Sequence, residues 1–321
     1  MKKFLALLFT PLLVAGVFAA SSSTASPLNN FGDISSAKEE YILNFFVLSD
    51  IHSNIGNLQV ALLDINQIIG HFDLLILNGD TVDLGLPEEY EKVSNFLKNN
   101  SSILPKLIIE NIGNHEYYKD YTNGPNSWNV NDELLSRYLK FAKRERVYED
   151  LWIKDYHFIN LGSETTYNKS VDPSTDRANL SDKQISWLRE KIAENYVEGK
   201  PIFIFLHQPL DNTVLFSQMH LFNVNKDKEI KELFSKYPEI VFFSSHSHHT
   251  FYEEGNVYKD PSGWLAIDTS SIVEPVFYNT ITAKYSIQGV YVEVYKDHIF
   301  IRLRDFGRGC WVKEISIYYK K

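Results

Sequence analysis

Short apolar segments alternate along the chain with segments in which apolar residues recur at helical spacing. The apolar segments are rich in β-branched and aromatic residues, and the pattern predicts central strands at 45–48, 74–77, 107–109, 202–206 and 241–243. Helices are predicted at 87–99, 131–146, 181–195 and 226–236. Ser181, with Gln184 three residues later, has the pattern of a capping box at a helix start. Strands alternating with helices indicate an α/β fold with buried strands.

The end of the chain has a different pattern. Residues 288–295 and 298–304 alternate between apolar and polar positions, and the Lys296-Asp297 dipeptide separates them. This pattern predicts an antiparallel hairpin. No linker-like stretch, low-complexity run or internal repeat interrupts residues 41–321, so we expect these residues to form one domain.

The N-terminus has the three-part layout of a secretory signal peptide. A basic start is followed by an apolar run from Phe4 to Ala20 and then by small polar residues. We expect residues 1–20 to be a signal peptide and residues 21–40 a polar leader, so that the protein is exported to the periplasm, the cell surface or the medium. The alternative is a membrane anchor formed by the uncleaved segment. That run contains Pro11 and is short of the roughly 20 residues of a stable span.

Composition limits the chemistry that the chain supports. Its 321 residues, 44% of them hydrophobic, can fill a large core. Asp and Glu number 41 against 32 Lys and Arg, a net charge of -9 that disfavours a nucleic acid polymer as partner, because such a partner requires a basic face. The single cysteine excludes an internal disulfide, a thiolate zinc finger and an iron–sulfur cluster. Any bound metal must therefore be held by nitrogen and oxygen atoms.

Each predicted central strand is followed by side chains that can bind metals or move protons. They are Asp50 and His52, Asp80 and Asp83, Asn114, His115 and Glu116, His207, and His246 and His248. Ligands of open α/β sheets bind beyond the carboxyl ends of the strands, so these side chains are expected to converge on one rim. A rim lined with Asp, Asn and His side chains indicates a metal site.

In these motifs the sequence resembles the calcineurin-like metallophosphoesterases. The motifs stand in the family's order, as Asp50-Ile-His52, Gly79-Asp80-Thr-Val-Asp83, Gly113-Asn114-His115-Glu116, His207 and His246-Ser-His248. The resemblance implies a four-layer α/β/β/α sandwich of two mixed β-sheets flanked by helices. Ser245 replaces the usual glycine of the last motif, where we expect only a local adjustment. Asp83 stands where purple acid phosphatases carry a metal-binding tyrosine, which disfavours an iron–tyrosinate centre.

The resemblance also implies a site with two divalent metal ions that share Asp80. The first ion would take Asp50, His52, Asp80 and His248, and the second would take Asp80, Asn114, His207 and His246. An all-nitrogen-and-oxygen ligand set suits Mn, Fe, Zn or Ni without selecting one of them. By the same resemblance, a hydroxide bridging the ions attacks phosphorus and His115 assists the leaving group. Glu116 and Asp83 would orient their neighbours, with an ordinary surface or N-cap carboxylate as the alternative for both.

The function predicted from these residues is metal-dependent hydrolysis of a small phosphate ester, such as a nucleotide or a phospholipid head group. A phosphodiesterase is slightly favoured over a phosphomonoesterase of the acid phosphatase type. A non-catalytic binding protein on the same fold predicts missing ligands, and every ligand position is filled. The motifs of serine hydrolases, zincins and P-loop NTPases are absent from the sequence.

The segments after two of the motifs are candidates for the substrate side of the site. Residues 117–130 contain Tyr117, Tyr118 and other aromatic residues, and residues 208–225 follow His207 in the same way. Such segments beside a site can form walls for an organic leaving group. The alternative is that these rings pack at the edge of the core. For His249, outside the motifs, a core or solvent-facing position is favoured over substrate contact.

Overall fold

The computed structural model describes residues 40–118, 131–165, 176–218, 224–278 and 281–319. The strands of this part of the chain are β1 (Leu43–Leu48), β2 (Leu74–Asn78), β3 (Leu107–Asn111), β4 (Glu149–Ile153), β5 (Tyr156–Asn160), β6 (Ile202–Phe205), β7 (Ile240–Ser244), β8 (Val257–Lys259), β9 (Leu265–Asp268), β10 (Gln288–Val294), β11 (His298–Asp305) and β12 (Cys310–Tyr318). The α-helices are α1 (Ile55–Ile68), α2 (Pro87–Asn99), α3 (Asn131–Ala142), α4 (Asp182–Ala193) and α5 (Asp227–Phe234).

The strands form two six-stranded sheets, and both sheets are mixed. The first sheet has the order β12-β11-β10-β1-β2-β3, and its last three strands run parallel to one another. The second sheet has the order β4-β5-β6-β7-β9-β8, with a parallel centre formed by β5, β6, β7 and β9. Antiparallel strands flank each parallel group. The carboxyl ends of the parallel strands carry the predicted site residues.

Three apolar clusters define the layers. The central cluster joins the two sheets face to face, with Phe45 of β1 packed edge-on against Phe158 and Phe203 of the second sheet. A second cluster packs α1, α2 and α3 on the outer face of the first sheet, and a third packs α4 and α5 on the second sheet. Burying one face of each helix and both faces of the parallel strands gives four layers. The predicted α/β/β/α sandwich is confirmed.

The predicted elements are largely present, with differences at their ends. Helix α2 has the predicted bounds, whereas α3 ends at Ala142, because Lys143 takes a left-handed conformation with φ of 54°. Helix α5 is shorter than predicted at both ends. The predicted C-terminal hairpin is confirmed as β10 and β11, and β12 adds a third antiparallel strand.

Only one of the two hydrogen bonds of the capping box predicted at α4 is present. The hydroxyl of Ser181 accepts a hydrogen bond from the Gln184 backbone N–H at 3.2 Å, as predicted. The Gln184 side chain does not return the bond: it is fully buried and donates instead to the Gly162 carbonyl at 2.9 Å. The backbone N–H of Ser181 is taken by the Glu164 carboxylate at 2.6 Å. A tertiary contact therefore replaces the local one.

The sequence pattern does not predict α1, β4, β5, β8, β9 or β12. In α1 the buried residues Leu58, Ala61, Leu62 and Ile65 have clear helical spacing, but the exposed Val60 and Leu63 obscure the polar face. Among the residues that the structure describes, no helix is both long and apolar enough to cross a membrane. The predicted signal peptide and most of the polar leader lie outside the described residues.

Candidate metal centre

Every predicted metal ligand lies at the carboxyl-end rim of the two sheets. Asp50 and His52 follow β1, Asp80 follows β2 and Asn114 follows β3; from the second sheet, His207 follows β6 and His246 and His248 follow β7. Left-handed backbone with positive φ is found at Asp50, His52, Asp80, His246 and His248. Such conformations are uncommon outside glycine and cluster at functional sites, where surrounding structure enforces them.

Two glycines allow these turns to approach one another. A Cβ atom at Gly79 would lie 2.6 Å from the ring of His207, and the φ of Gly79 is 91°. A Cβ atom at Gly113 would lie only 2.1 Å from Oδ1 of Asp80. The glycines in these two motifs are therefore required by close contacts between the motifs and not by local turn geometry alone.

The candidate ligands of the first ion gather around Asp50. Its Oδ1 lies 3.0 Å from Nε2 of His248, and ligand atoms of Asp50, His52 and His248 all lie within 4.8 Å of one another. His52 Nε2 is 4.0 Å from Asp80 Oδ2, which links this group to the candidate bridging carboxylate. Asp50 and Asp80 are fully buried.

The candidate ligands of the second ion gather around Asp80. Its Oδ2 lies 3.0 Å from Nε2 of His207, and ligand atoms of Asp80, His207 and His246 lie within 4.8 Å of one another. His207 Nδ1 contacts the Asn78 carbonyl at 2.8 Å, so this nitrogen carries the proton and Nε2 faces the carboxylates. The two groups adjoin, because the same Nε2 is 3.8 Å from Asp50 Oδ1.

The buried atoms that face the centre of this rim lack hydrogen bonds. They are Asp50 Oδ1, His52 Nε2, Asn114 Oδ1 and His207 Nε2. Asp50 Oδ1 and Asp80 Oδ2 each lie 3.0 Å from a histidine Nε2. Metal–ligand bonds of about 2.1 Å place two ligands of one ion roughly 3 Å apart. Because buried polar atoms are normally satisfied, these residues fit a pair of metal ions that would complete their bonding.

The charges of the site compensate one another strongly. Burial by itself raises the pKa of Asp50, but His248 and His207 outweigh burial and lower that pKa to about 2. In Asp80 burial is likewise outweighed, by His207 and His115, which hold the pKa of that carboxyl well below its usual range. Burial, together with the charge of His207, lowers the pKa of His246 to about 3. Burial is outweighed at His207 by Asp80 and Asp50, which raise the pKa of His207 to about 10, so this imidazole would release a proton when a divalent cation binds.

His115 and Asp83 lie side by side at the open edge of the site. His115 Nδ1 contacts the backbone carbonyl of Asp83 at 2.9 Å and the side-chain carboxylate of Asp83 at 3.3 Å. The other ring nitrogen of His115, Nε2, is 4.0 Å from Asp80 Oδ2. The Asp83 carboxylate also contacts His52 Nδ1 at 3.2 Å. Asp83 therefore touches both a candidate ligand and the candidate acid, which is the contact that an orienting role requires.

Glu116 links the turn that carries Asp80 to the turn that carries Gly113. This carboxylate is buried and accepts hydrogen bonds from the backbone N–H groups of Gly113 at 2.6 Å, Thr81 at 2.9 Å and Asp80 at 3.2 Å. Burial and the charge of Asp80 raise the pKa of Glu116 to about 7. Its contacts orient the two turns, and its burial rules out the surface half of the surface or N-cap alternative.

The serine of the last motif is accommodated without a left-handed backbone conformation. Ser245 has no positive φ, and its buried hydroxyl contacts Thr269 Oγ1 at 2.6 Å and accepts from Asn78 Nδ2 at 2.9 Å. His249 is fully buried and contacts Glu253 at 3.1 Å and Asn256 at 3.0 Å. Of the core and solvent-facing positions favoured for His249, the structure shows the core position.

Two residues, Asp268 and Tyr118, support the motif residues through contacts that the sequence does not predict. Asp268, at the end of β9, is fully buried and accepts from the hydroxyl of Ser247, the residue between His246 and His248, at 3.0 Å. The apolar run that ends at Asp268 resembles the five strand ends already singled out, so this signal was available. Tyr118 belongs to the segment considered for substrate contact. Its hydroxyl accepts a 2.8 Å hydrogen bond from Asn114 Nδ2. Residues 119–130 and 219–223 of the two candidate segments lie outside the described residues.

Comparison with protein families agrees with the fold and with this site. Residues 43–250 match the family described as calcineurin-like phosphoesterase. The chain belongs to this family and is a metal-dependent phosphoric ester hydrolase. No curated protein matches the chain.

Solved structures with the same fold have low sequence identity to this chain. A dimetal phosphatase from Danio rerio is 12% identical with a TM-score of 0.61, over 88% of this chain and 100% of that protein. Purple acid phosphatase PPD1 from yellow lupin is 11% identical with a TM-score of 0.60, over 86% of this chain and 53% of that protein. GAP50, the anchor in the inner membrane complex of Plasmodium, is 12% identical with a TM-score of 0.54, over 87% of this chain and 89% of that protein.

Proposed function

We propose that this protein hydrolyses small phosphate diesters at a centre of two divalent metal ions, drawn from Mn, Fe, Zn and Ni. The observation that carries the proposal is the position of Asp80. This buried carboxylate lies between one group formed by Asp50, His52 and His248 and another that contains His207 and His246. A carboxylate shared between two ligand groups suits a pair of ions, because the shared negative charge reduces their mutual repulsion.

Each of these residues has a distinct task in the proposed reaction. The bound ions would supply a water-derived nucleophile at neutral pH and neutralise phosphoryl charge. Asp80 Oδ1 accepts from the His115 backbone N–H at 2.9 Å, which fixes its carboxylate beside the turn that carries His115. The contact of His115 Nδ1 with Asp83 leaves Nε2 facing the site, where the imidazolium form of the ring can donate its Nε2 proton to the departing oxygen and become neutral. Asp83 would also orient His52, because the Asp83 carboxylate contacts Nδ1 of the His52 ring.

The charges around the site favour a diester over a monoester. In the described part of the chain, the ion-pair partners of Asp50, Asp80 and Asp83 are all histidines, with no Lys or Arg among them. A phosphate monoester carries up to two negative charges at neutral pH, and a diester carries one. We therefore favour the diester, which brings a single negative charge to the metal ions and the imidazoles. The organic groups of a nucleotide or a phospholipid head group fit this substrate class.

A binding protein on the same fold is the second candidate function. The neighbour GAP50 is described as an anchor, so the fold is not confined to proteins named as enzymes. Such a protein needs no ordered ligand set and no proton donor. Here the ligand atoms converge, and Asp83 supports His115, so the geometry favours catalysis. We also propose that the protein is exported, on the basis of its basic start and the apolar run that ends at Ala20.

The first experiment compares metals and substrates. Mature protein is stripped with a chelator, reloaded separately with Mn, Zn, Fe or Ni, and assayed on p-nitrophenyl phosphate and bis-p-nitrophenyl phosphate. We expect metal-dependent turnover that is faster on the diester, and a loss of at least about 100-fold in Asp80→Asn. Faster turnover of the monoester would overturn the diester assignment. A folded protein with two ions per chain that turns over neither substrate would favour the binding function.

A second arm tests the role of His115. Phenol is a weaker acid than p-nitrophenol, so a phenyl ester depends more on a proton delivered to its leaving group. We expect His115→Ala to lose about 100- to 10,000-fold on a phenyl phosphodiester and less on the p-nitrophenyl diester. Asp80→Asn is the matched control, because loss of the ions should slow both substrates alike. Equal losses for the two leaving groups in His115→Ala would refute leaving-group assistance.

A further inference from the structure

Tyr118 lies between a candidate ligand of the second ion and a carboxylate that the motifs do not contain. Its hydroxyl accepts a hydrogen bond from Asn114 Nδ2 at 2.8 Å. The same hydroxyl hydrogen-bonds the side chain of Asp176. A tyrosine hydroxyl carries one proton at neutral pH, because the ordinary pKa of the phenol is about 10. A phenol with one proton donates it to the carboxylate and offers its oxygen lone pair to Asn114.

This arrangement determines which way the Asn114 amide faces. A side-chain amide has a donor end and an acceptor end of nearly the same shape, and only its hydrogen bonds distinguish them. Because Tyr118 gives its proton to Asp176, it can only accept from Asn114, and the amide nitrogen must point to it. The amide oxygen of Asn114 then faces the metal site, where it is buried without a hydrogen-bond partner. Carboxamide oxygen, and not nitrogen, is the end that binds a divalent cation.

The same tyrosine is braced against the rest of the site. Its ring lies over that of His115, with centroids 4.0 Å apart and planes tilted by 38°. The Asp176 carbonyl accepts from Gln208 Nε2 at 3.1 Å, and Gln208 directly follows the ligand His207. The chain of contacts thus connects two candidate ligands of the second ion, Asn114 and His207. The three residues that link them, Tyr118, Asp176 and Gln208, belong to none of the family motifs quoted for this sequence.

We propose that Tyr118 is a positioning residue for the second metal ion: held by Asp176, its hydroxyl fixes the Asn114 amide with the oxygen toward that ion. This inference rests on the proposed dinuclear centre and deepens it. It implies that the two ions respond differently to changes at Tyr118. The first ion, with Asp50, His52, Asp80 and His248, does not depend on Asn114.

The test measures metal binding and not turnover alone. Chelated wild-type protein and Tyr118→Phe are titrated with Mn²⁺ by calorimetry, and the bound metal is checked by electron paramagnetic resonance for a coupled pair or an isolated ion. We expect Tyr118→Phe to bind one ion as the wild type does and the other about 10- to 100-fold more weakly. The phenylalanine keeps the ring over His115, so a role in packing alone predicts no change.

Tyr117→Phe is the matched control. Its hydroxyl is buried and donates to the Ser163 carbonyl at 2.9 Å. The backbone N–H of Tyr117 donates to the Asn114 carbonyl at 3.0 Å, and the phenylalanine variant keeps that bond. The variant Asp176→Ala removes the acceptor while Tyr118 stays in place, so the hydroxyl can donate to Asn114 and reverse the amide. We expect it to weaken the second ion as Tyr118→Phe does, with folding monitored by circular dichroism.

The outcomes separate the two proposals. Wild-type protein that binds a single Mn²⁺ would refute the dinuclear centre, whatever the variants do. Wild-type protein that binds two ions, with Tyr118→Phe and Asp176→Ala unchanged, would refute the positioning role alone. The positioning role is equally refuted if Tyr118→Phe weakens both ions to the same extent, or if Tyr117→Phe has the same effect on the second ion.

Discussion

A methyl group at Gly113 is the smallest change that displaces the candidate bridging carboxylate. In Gly113→Ala the new Cβ atom would lie 2.1 Å from Asp80 Oδ1 and 2.6 Å from the Asp80 backbone nitrogen, whereas ordinary contact begins at 3.4 Å. The strand ends cannot simply separate, because Glu116 accepts hydrogen bonds from the backbone of Gly113 and of Asp80. The carboxylate must therefore move by more than about 1 Å, whereas metal ligands tolerate displacements of about 0.2 Å.

Two effects follow from this displacement. Misplacing a catalytic group by about 1 Å costs on the order of 100-fold in rate. Because Asp80 is shared, Gly113→Ala should weaken both ions, in contrast to the selective effect expected of Tyr118→Phe. Overpacking a buried site also costs about 1–3 kcal/mol of unfolding free energy. We therefore expect a folded but less stable protein with at least about 100-fold lower turnover of the diester.

The assay combines metal content after dialysis, urea unfolding of the chelated protein, and initial rates on bis-p-nitrophenyl phosphate. Gly56→Ala is the control, because its Cβ would meet only Asn54 Oδ1 at 3.5 Å. Gly56 lies within α1, where alanine adds up to about 1 kcal/mol of stability. Gly113→Ala protein that retains two ions and wild-type turnover would refute the reasoning about the shared carboxylate.

Two further predictions concern regions away from the metal rim. Burial, opposed by Arg144, raises the pKa of Glu110 from 4.5 to about 7, so the folded protein holds this proton more tightly than the unfolded chain does and loses stability as pH rises between these values. In urea titrations of chelated protein, the unfolding free energy of Glu110→Gln relative to wild type should therefore rise by up to about 3 kcal/mol from a pH of about 4 to about 8. Glu145→Gln, at an exposed position, is the control. A difference in unfolding free energy that does not change with pH would contradict this prediction. Export predicts that N-terminal sequencing of protein from the natural source begins after Ala19 or Ala20, and recovery of intact Met1 in a membrane fraction would favour the anchor.

The sequence predicts the metal rim because its residues follow strands. A buried strand produces a compact apolar run, and the polar residue after it stands out, so Asp50, Asp80 and His207 are visible without any structure. Parallel strands bring those positions together whatever the loops do. Glu116 is visible for the same reason, although its contacts with backbone N–H groups are known only from the fold.

Residues that act through other residues leave a weaker signal. Tyr118 and Asp176 are far apart in the sequence, and nothing in the local pattern at either position indicates their contact across the fold. Gln184 illustrates the same difficulty. The local capping rule predicts that its side chain bonds to Ser181, whereas in the structure the side chain donates to the buried carbonyl of Gly162. Local rules identify elements and strand ends, but long-range hydrogen bonds decide which side chain serves which neighbour.

The division of the ligands between the two sheets has a consequence for the whole molecule. Asp50 and His52, for the first ion, and Asp80 and Asn114, for the second, extend from the first sheet, whereas the histidines that complete each set extend from the second. Each bound ion would therefore tie one sheet to the other at the rim, as a disulfide does in a secreted protein. With Cys310 as its only cysteine, this chain has no such bridge of its own. Metal supply would then govern how firmly the sandwich is closed as well as how fast it works.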